Sequence, residues 1–206
     1  MKIIKTEALI SCGTFATSPQ WTEIRSRLHE AIRRVDWPRG SGQFTIYPQS
    51  GKKRGEGNGV KPIKDGLINE LTKQGWSAEG RLALRLDAAI EHRPGGLDAV
   101  FETQAGPVAL EWETGNISSS HRALNKMALG LLKGILAAGI LVVPSRNLYR
   151  YLTDRVGNVG ELEPYLDLWR ALPCAGGVLE VTVIEHDATS LNVPRIPKGT
   201  DGRAKN

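Results

Sequence analysis

Three acidic residues stand where strand geometry could gather them. Asp98 opens the segment Leu97–Glu102, and Glu111 and Glu113 alternate along Pro107–Glu113. Successive side chains on a strand point to opposite faces. Val108, Leu110 and Trp112 therefore share one face, and Ala109, Glu111 and Glu113 share the other. Thr103-Gln104-Ala105-Gly106 supplies turn chemistry between the two segments, so they read as a strand pair. If they pair, Asp98 approaches Glu111 across the ladder. Converging carboxylates repel and raise one another's pKa values. A divalent cation removes that repulsion. Hard oxygen ligands with no nearby Cys or His favour Mg²⁺, with Mn²⁺ as a substitute, over Zn²⁺. Such an ion suits phosphodiester hydrolysis: it lowers the pKa of the attacking water, orients the phosphate and stabilises the leaving oxygen.

Acids at alternating spacing also occur on solvated strand faces. Three features favour chemistry here. The opposite face carries Leu110 and Trp112, as a central strand would, and Asp98 is correctly placed on the preceding strand. A helix then follows Ser118-Ser119-Ser120-His121-Arg122, and its dipole end could hold a phosphate. Arg122 and Lys126 share one face of that helix, four residues apart. Lys126 is either a catalytic group or an ordinary surface lysine, and His121 either orients phosphate or has no role. Trp112 reads as a core anchor rather than a base-stacking residue.

The elements that must position these groups follow from periodicity. Ile24, Leu28, Ala31, Ile32 and Val35 predict a helix over Gln20–Val35, ended by Asp36-Trp37-Pro38 because proline biases the residue before it away from helical angles. Gln43–Tyr47 is a short strand, and a second helix spans about Pro62–Gln74, with Pro62 in its first turn and Gly75 as its stop. Glu79–Ile90 fits a strand or a helix equally. His121–Leu136 is a long helix capped by one of the three serines. The apolar run Gly139–Val143 reads as a strand buried on both faces. Leu148–Val156 and Glu161–Leu172 read as helical, Val178–Ile184 as a strand, and the chain from His186 onward as irregular. From Leu97 the order is strand, strand, helix, strand, helix, strand. That predicts an α/β fold, a mixed central sheet flanked by helices.

The chain has 206 residues, enough for one large domain,. Its net charge of +5 favours a polyanionic partner weakly,. The distribution says more. Lys52, Lys53, Arg54, Lys61 and Lys64 crowd one Gly-rich stretch, in and just after a loop at about 48–61, and Arg195, Lys198, Arg203 and Lys205 crowd 190–206. Both read as mobile arms that track a phosphate backbone, or as solvated loops. Pro48–Gly59 contains little that could pack. No apolar run is long enough for a membrane span, and the N-terminus does not read as a secretory signal. Cys12 and Cys174 match no metal-ligand spacing, and free thiols in a cytoplasmic protein are expected.

These residues resemble a known family. The acidic block is similar to the nuclease core whose signature is Pro-Asp, then Asp or Glu, any residue, and Lys. More narrowly it resembles the restriction endonucleases grouped around BglII and BstYI, with BamHI as a more distant relative. The resemblance is carried by Gly57-Asn58-Gly59-Val60-Lys61-Pro62-Ile63-Lys64. It continues through Glu111-Trp112-Glu113-Thr114-Gly115-Asn116, Ser119, Arg122, Asn125 and Lys126, and ends with Pro194–Arg203. It thus covers roughly Gly57 to Arg203. One departure stands out: Glu113 occupies the place of the usual lysine, as in the BamHI type. The general base is then either Glu113 or Lys126.

The resemblance implies a restriction-endonuclease-like core over the single domain 1–206. It implies a Mg²⁺-dependent enzyme that hydrolyses double-stranded DNA within a short palindrome, centred on GATC in this subgroup. It also implies a homodimer, and no organic cofactor. Asp98 and Glu111 would hold the metal. Glu70, on the helix before the core, is a further metal-tuning acid or a surface glutamate, and Asp87 and Glu91 have less support. DNA contacts are expected from Asn116, Ser118, Ser119 and Arg122, from Lys61 and Lys64, and from the C-terminal Asn192, Arg195, Lys198 and Arg203. The residue types alone do not separate base from phosphate contacts. Two rival readings share the acids or the arms: a repair or structure-specific nuclease, and a non-catalytic DNA-binding protein.

Overall fold

Three apolar strands form the middle of the molecule: β5 (Val108–Trp112), β6 (Ala138–Pro144) and β7 (Gly177–Glu185). They run parallel, and every residue of β6 and β7 is buried, as expected of parallel strands covered on both faces. The computed structural model describes residues 1–53, 56–79, 96–112, 115–153 and 156–198. Most of the strand-or-helix segment at 79–90, together with Arg54, Asp87, Glu91, Glu113 and Arg203, lies outside the described residues. The remaining strands are β1 (Lys2–Cys12), β2 (Thr45–Ile46), β3 (Ser77–Ala78), β4 (Ala99–Phe101) and β8 (Ala188–Thr189). The helices are α1 (Gly13–Ala16), α2 (Pro19–Arg33), α3 (Lys61–Lys73), α4 (Ile117–Leu132), α5 (Arg146–Tyr149), α6 (Val159–Leu162) and α7 (Leu166–Arg170). The main sheet has the order β1-β7-β6-β5-β4-β3, with β1, β4 and β3 antiparallel to their inner neighbours. The mixed sheet flanked by helices is thus as the sequence predicts.

Each face of the sheet buries its own core. Leu28 and Ile32 of α2 and Leu67 and Leu71 of α3 pack with Leu110, Trp112, Ile140 and Val142. Leu124, Met127 and Leu131 of α4 and Trp169 of α7 pack with Ala109, Leu141, Val143 and Val181. The two sets alternate along β5 and β6, so strand period directly assigns α3 and α4 to opposite layers. Glu180 on β7 is 1% exposed and is compensated by Arg25 Nε of α2 at 2.8 Å.

Several boundaries differ from the sequence reading. β1 was not foreseen: it is an edge strand with irregular pairing near Ile3 and Ala8, which blurs the two-residue alternation that marks a strand. α4 begins four residues before His121, and its cap is Asn116, whose side chain accepts from Ser119 N, rather than a serine. It stops at Leu132, shortly before Gly134 with φ of +63°, a conformation glycine adopts freely. The expected helix 148–156 shrinks to α5. The expected helix 161–172 becomes α6, a 3-10 turn at Glu163–Tyr165 and α7, with Pro164 in the break. Past His186 the chain is not wholly irregular, because β8 pairs in parallel with β2. Pro48–Gly59 also packs: Gly51, Gly57, Asn58 and Gly59 are buried, and Ile196 of the C-terminal segment is 1% exposed. Trp112 is the core anchor expected. Cys12 and Cys174 are free thiols. Among the described residues no helix is long and apolar enough to cross a membrane.

Gly139 lets α4 lie close on β6, since a Cβ there would sit 2.6 Å from Met127 Cβ. Gly139→Ala is expected to destabilise the fold by about 1–3 kcal/mol through overpacking. Urea denaturation of the two proteins measures this, and an unchanged midpoint would refute it.

Candidate active site

The antiparallel pair β4–β5 brings the acids together. Ala99 lies opposite Leu110, so the next rung sets Asp98 beside Glu111. Asp98 Oδ2 accepts the amide of Trp112 at 2.8 Å, which locks the aspartate to the end of β5. Its other oxygen is paired with Lys64 Nζ of α3. Glu111 Oε1 is paired with Lys126 Nζ of α4, and that ammonium also donates to Gly96 O at 2.9 Å. The two carboxylates therefore each hold one ammonium, delivered from opposite helical layers. Their side chains are only 16% and 15% exposed.

Burial pushes the Glu111 carboxyl above the ordinary carboxylate range. The hydrogen bond and charge of Lys126 and the charge of Lys64 pull it down, while the Asp98 charge pushes it up. Desolvation outweighs the lysines, so the Glu111 carboxyl holds its proton more readily than a solvated glutamate does,.

Among the described residues no three Asp, Glu, His or Cys side chains form a metal-holding group. The described acids at the centre are Asp98 and Glu111, and Glu113 lies outside the described residues. The sheet adds one neighbour that the sequence reading missed. Ala78 pairs with Ala99, and Glu79 N donates to Asp98 O at 3.0 Å. That bond joins the end of β3 to Asp98, but Glu79 itself is exposed, turns away from the strand at φ of +53° and forms no metal-holding group with Asp98 and Glu111. Glu79 borders a segment of ambiguous periodicity, so only strand pairing reveals it.

The other candidate residues fall at distinct places. Glu70 pairs with Lys73 and lies 3.7 Å from Arg34 Nη1, so the structure does not bring it to Asp98 and Glu111. Six residues separate it from Lys64, about 9 Å along the helix and on another face. Lys64, expected toward DNA, is engaged with Asp98, and Lys126 is no free surface lysine. Asn116 is the α4 cap. Ser118 and Arg122 are exposed beside it, and Arg122 Nη2 is 3.4 Å from Ser119 Oγ. His121 packs on the rings of Tyr165 and Trp169. Lys61 is exposed at the first turn of α3. Arg195 stacks over Tyr47 at 5.2 Å, and Lys198 Nζ donates to Glu56 O at 2.7 Å.

The chain is thus an α/β protein with a mixed sheet and paired acids on adjacent strands, each held by a lysine from a flanking helix. The family model of the restriction endonuclease BamHI matches residues 1–203, and this chain belongs to that family. It is 46% identical over 204 residues to the type II restriction enzyme OkrAI of Oceanobacter kriegii, covering 99% of both chains. It is 37% identical over 175 residues to the type II restriction enzyme BamHI of Bacillus amyloliquefaciens, covering 82% of this chain and 76% of that one. The crystal structure of the restriction endonuclease BglII complexed with a DNA 16-mer superposes with a TM-score of 0.60 at 12% identity. That match covers 91% of this chain and 79% of the other. The likeness to BglII is one of fold, whereas that to BamHI extends to sequence.

The raised Glu111 pKa has a definite sign. The folded state holds its proton to higher pH than the unfolded chain does, so stability contributed by this group falls as pH rises through the interval between the two values. In metal-free buffer, denaturation of Glu111→Gln is expected to lack that decline. A variant that follows the wild-type curve would show that Glu111 does not titrate as described.

Proposed function

We propose that this chain is a Mg²⁺-dependent type II restriction endonuclease that hydrolyses both strands of duplex DNA within a short palindromic site, centred on GATC, as a homodimer. The observation that carries the reading is the Asp98–Glu111 pair, partly buried and needing cations from two layers. Membership of the BamHI family supports the reaction class, since the two relatives named above are type II restriction enzymes. A two-fold protein suits a two-fold site and two cuts.

The donor set suits a hard divalent cation, because the central side chains offer carboxylate oxygens. Asp98 and Glu111 would hold it. When bound, such an ion supplies water activation and neutralisation of phosphate charge. The chain does the rest. Trp112 N and Lys64 orient Asp98, and Lys126 fixes Glu111 against Gly96. Because the Lys126 ammonium is occupied as a donor, we give the water's proton to Glu113. The α4 N-terminus, with Ser118, Ser119 and Arg122, meets the phosphates or base edges that follow.

Unmethylated plasmid or phage DNA, incubated with Mg²⁺ or EDTA beside Glu111→Ala, tests this. Discrete Mg²⁺-dependent bands are expected, with a loss of about a thousandfold or more in the mutant. Sequencing the ends reads the site. Smearing would favour a repair-type nuclease, and a metal-independent gel shift without cleavage would favour a binding protein.

A further inference from the structure

Asn58 is 0% exposed in a stretch of glycines and charges where an amide would ordinarily be solvated. Every polar group it owns is used. Its backbone N–H donates to Tyr151 O at 2.7 Å, and its carbonyl accepts from Thr153 N at 2.9 Å. Its side-chain amide donates to Tyr47 O and Tyr151 O, both at 2.8 Å. Its Oδ1 accepts from Ile196 N at 3.0 Å. One side chain thus joins three segments remote in sequence: the end of β2, the turn after α5 and the C-terminal segment.

The residues around it let the backbones close in. A Cβ at Gly57 would lie 2.6 Å from Leu152 O, and one at Gly59 would lie 2.0 Å from Pro197 O. Gly59 N also donates to Ile196 O at 2.9 Å. The residue type at 58 follows from the partners. Two carbonyls require two donors and one amide requires an acceptor. Asn supplies both, whereas Asp would turn an acceptor on a carbonyl and Leu would leave the Ile196 amide unmet and each carbonyl with its backbone donor alone,.

Two cations ride on this junction. Arg195 lies next to Ile196 and over Tyr47, and Lys198 is fixed to Glu56 O. We infer that Asn58 is a positioning residue for DNA binding: it pins the C-terminal segment so that Arg195 and Lys198 are pre-arranged for the phosphate backbone. This rests on the reading of those two residues as DNA contacts. A cation held in place before binding needs less ordering when it meets its phosphate.

The test compares four full-length proteins: wild type, Asn58→Ala, Arg195→Ala with Lys198→Ala, and the triple variant. Each is titrated in EDTA with a labelled 20-bp duplex of arbitrary sequence over a range of salt. Removing two phosphate contacts should lower the salt slope by about 1.8 and weaken binding about tenfold at moderate salt. Asn58→Ala alone is expected to reproduce that change, and the triple variant to add nothing. On plasmid with Mg²⁺ the loss is expected in KM rather than kcat, a split that general loosening of the fold would not give. Should Asn58→Ala fail to melt cooperatively, Asn58→Ser keeps a hydroxyl in the site but cannot bridge Tyr47 O, Tyr151 O and Ile196 N together, and it is held to the same expectations. Losses that add, or an unchanged slope in Asn58→Ala, would overturn the role of Asn58. A wild-type slope in Arg195→Ala with Lys198→Ala would instead remove the DNA-contact reading of the segment. Because the titration contains no metal, neither result depends on the catalytic proposal.

Discussion

A carboxylate on the central strand of a packed sheet must be matched by positive charge, and much of this molecule is arranged around that constraint at Glu111. An unmatched buried charge costs several kcal/mol, of the order that a whole domain has to spare. The chain meets the requirement with Lys126 at Glu111 and Lys64 at Asp98, drawn from helices on opposite faces of the sheet. Burial still outweighs the lysines at Glu111, whose carboxyl is held above the ordinary carboxylate range.

The rest of the fold can be traced from this pair. Asp98 must lie next to Glu111, so β4 pairs antiparallel with β5 through a tight turn, and the Trp112 amide closes the gap. Lys126 must reach back to β5, so α4 lies close on β6, which Gly139 permits. Lys64 must reach Asp98 from the other layer, which constrains where the first turn of α3 lies. The start of α3 is in turn tied, through Asn58, to the C-terminal segment. Catalytic and DNA-facing candidates are thereby linked by hydrogen bonds rather than by proximity alone.

The two kinds of likeness to known restriction enzymes carry different weight. Identity of 46% over nearly the whole of OkrAI shows common family. The 12% identity with BglII shows that the same layered sheet tolerates almost complete replacement of its sequence. Cores need apolar residues of suitable volume in the right alternation, and many sequences satisfy that.

The sequence by itself determined the layered α/β class, the strand pair and the acids Asp98 and Glu111 on it. Strand period two and helix period 3.6 are local properties that side-chain order records directly. It also marked Trp112 as core and the helix bearing Lys126, but not that helix's true start, because Asn116 and the serines are all competent caps. Only the tertiary structure decided which cations meet which acids. Lys126 and Lys64 look like any surface lysine along the chain, and nothing local to Glu70 shows that it pairs with Lys73 instead of joining Asp98 and Glu111. Their partners are set by sheet register and by the crossing of α3 and α4, which depend on contacts between residues far apart in sequence. The same holds for β1, whose irregular edge hides its period, and for Asn58, whose three partner segments are brought together only by folding.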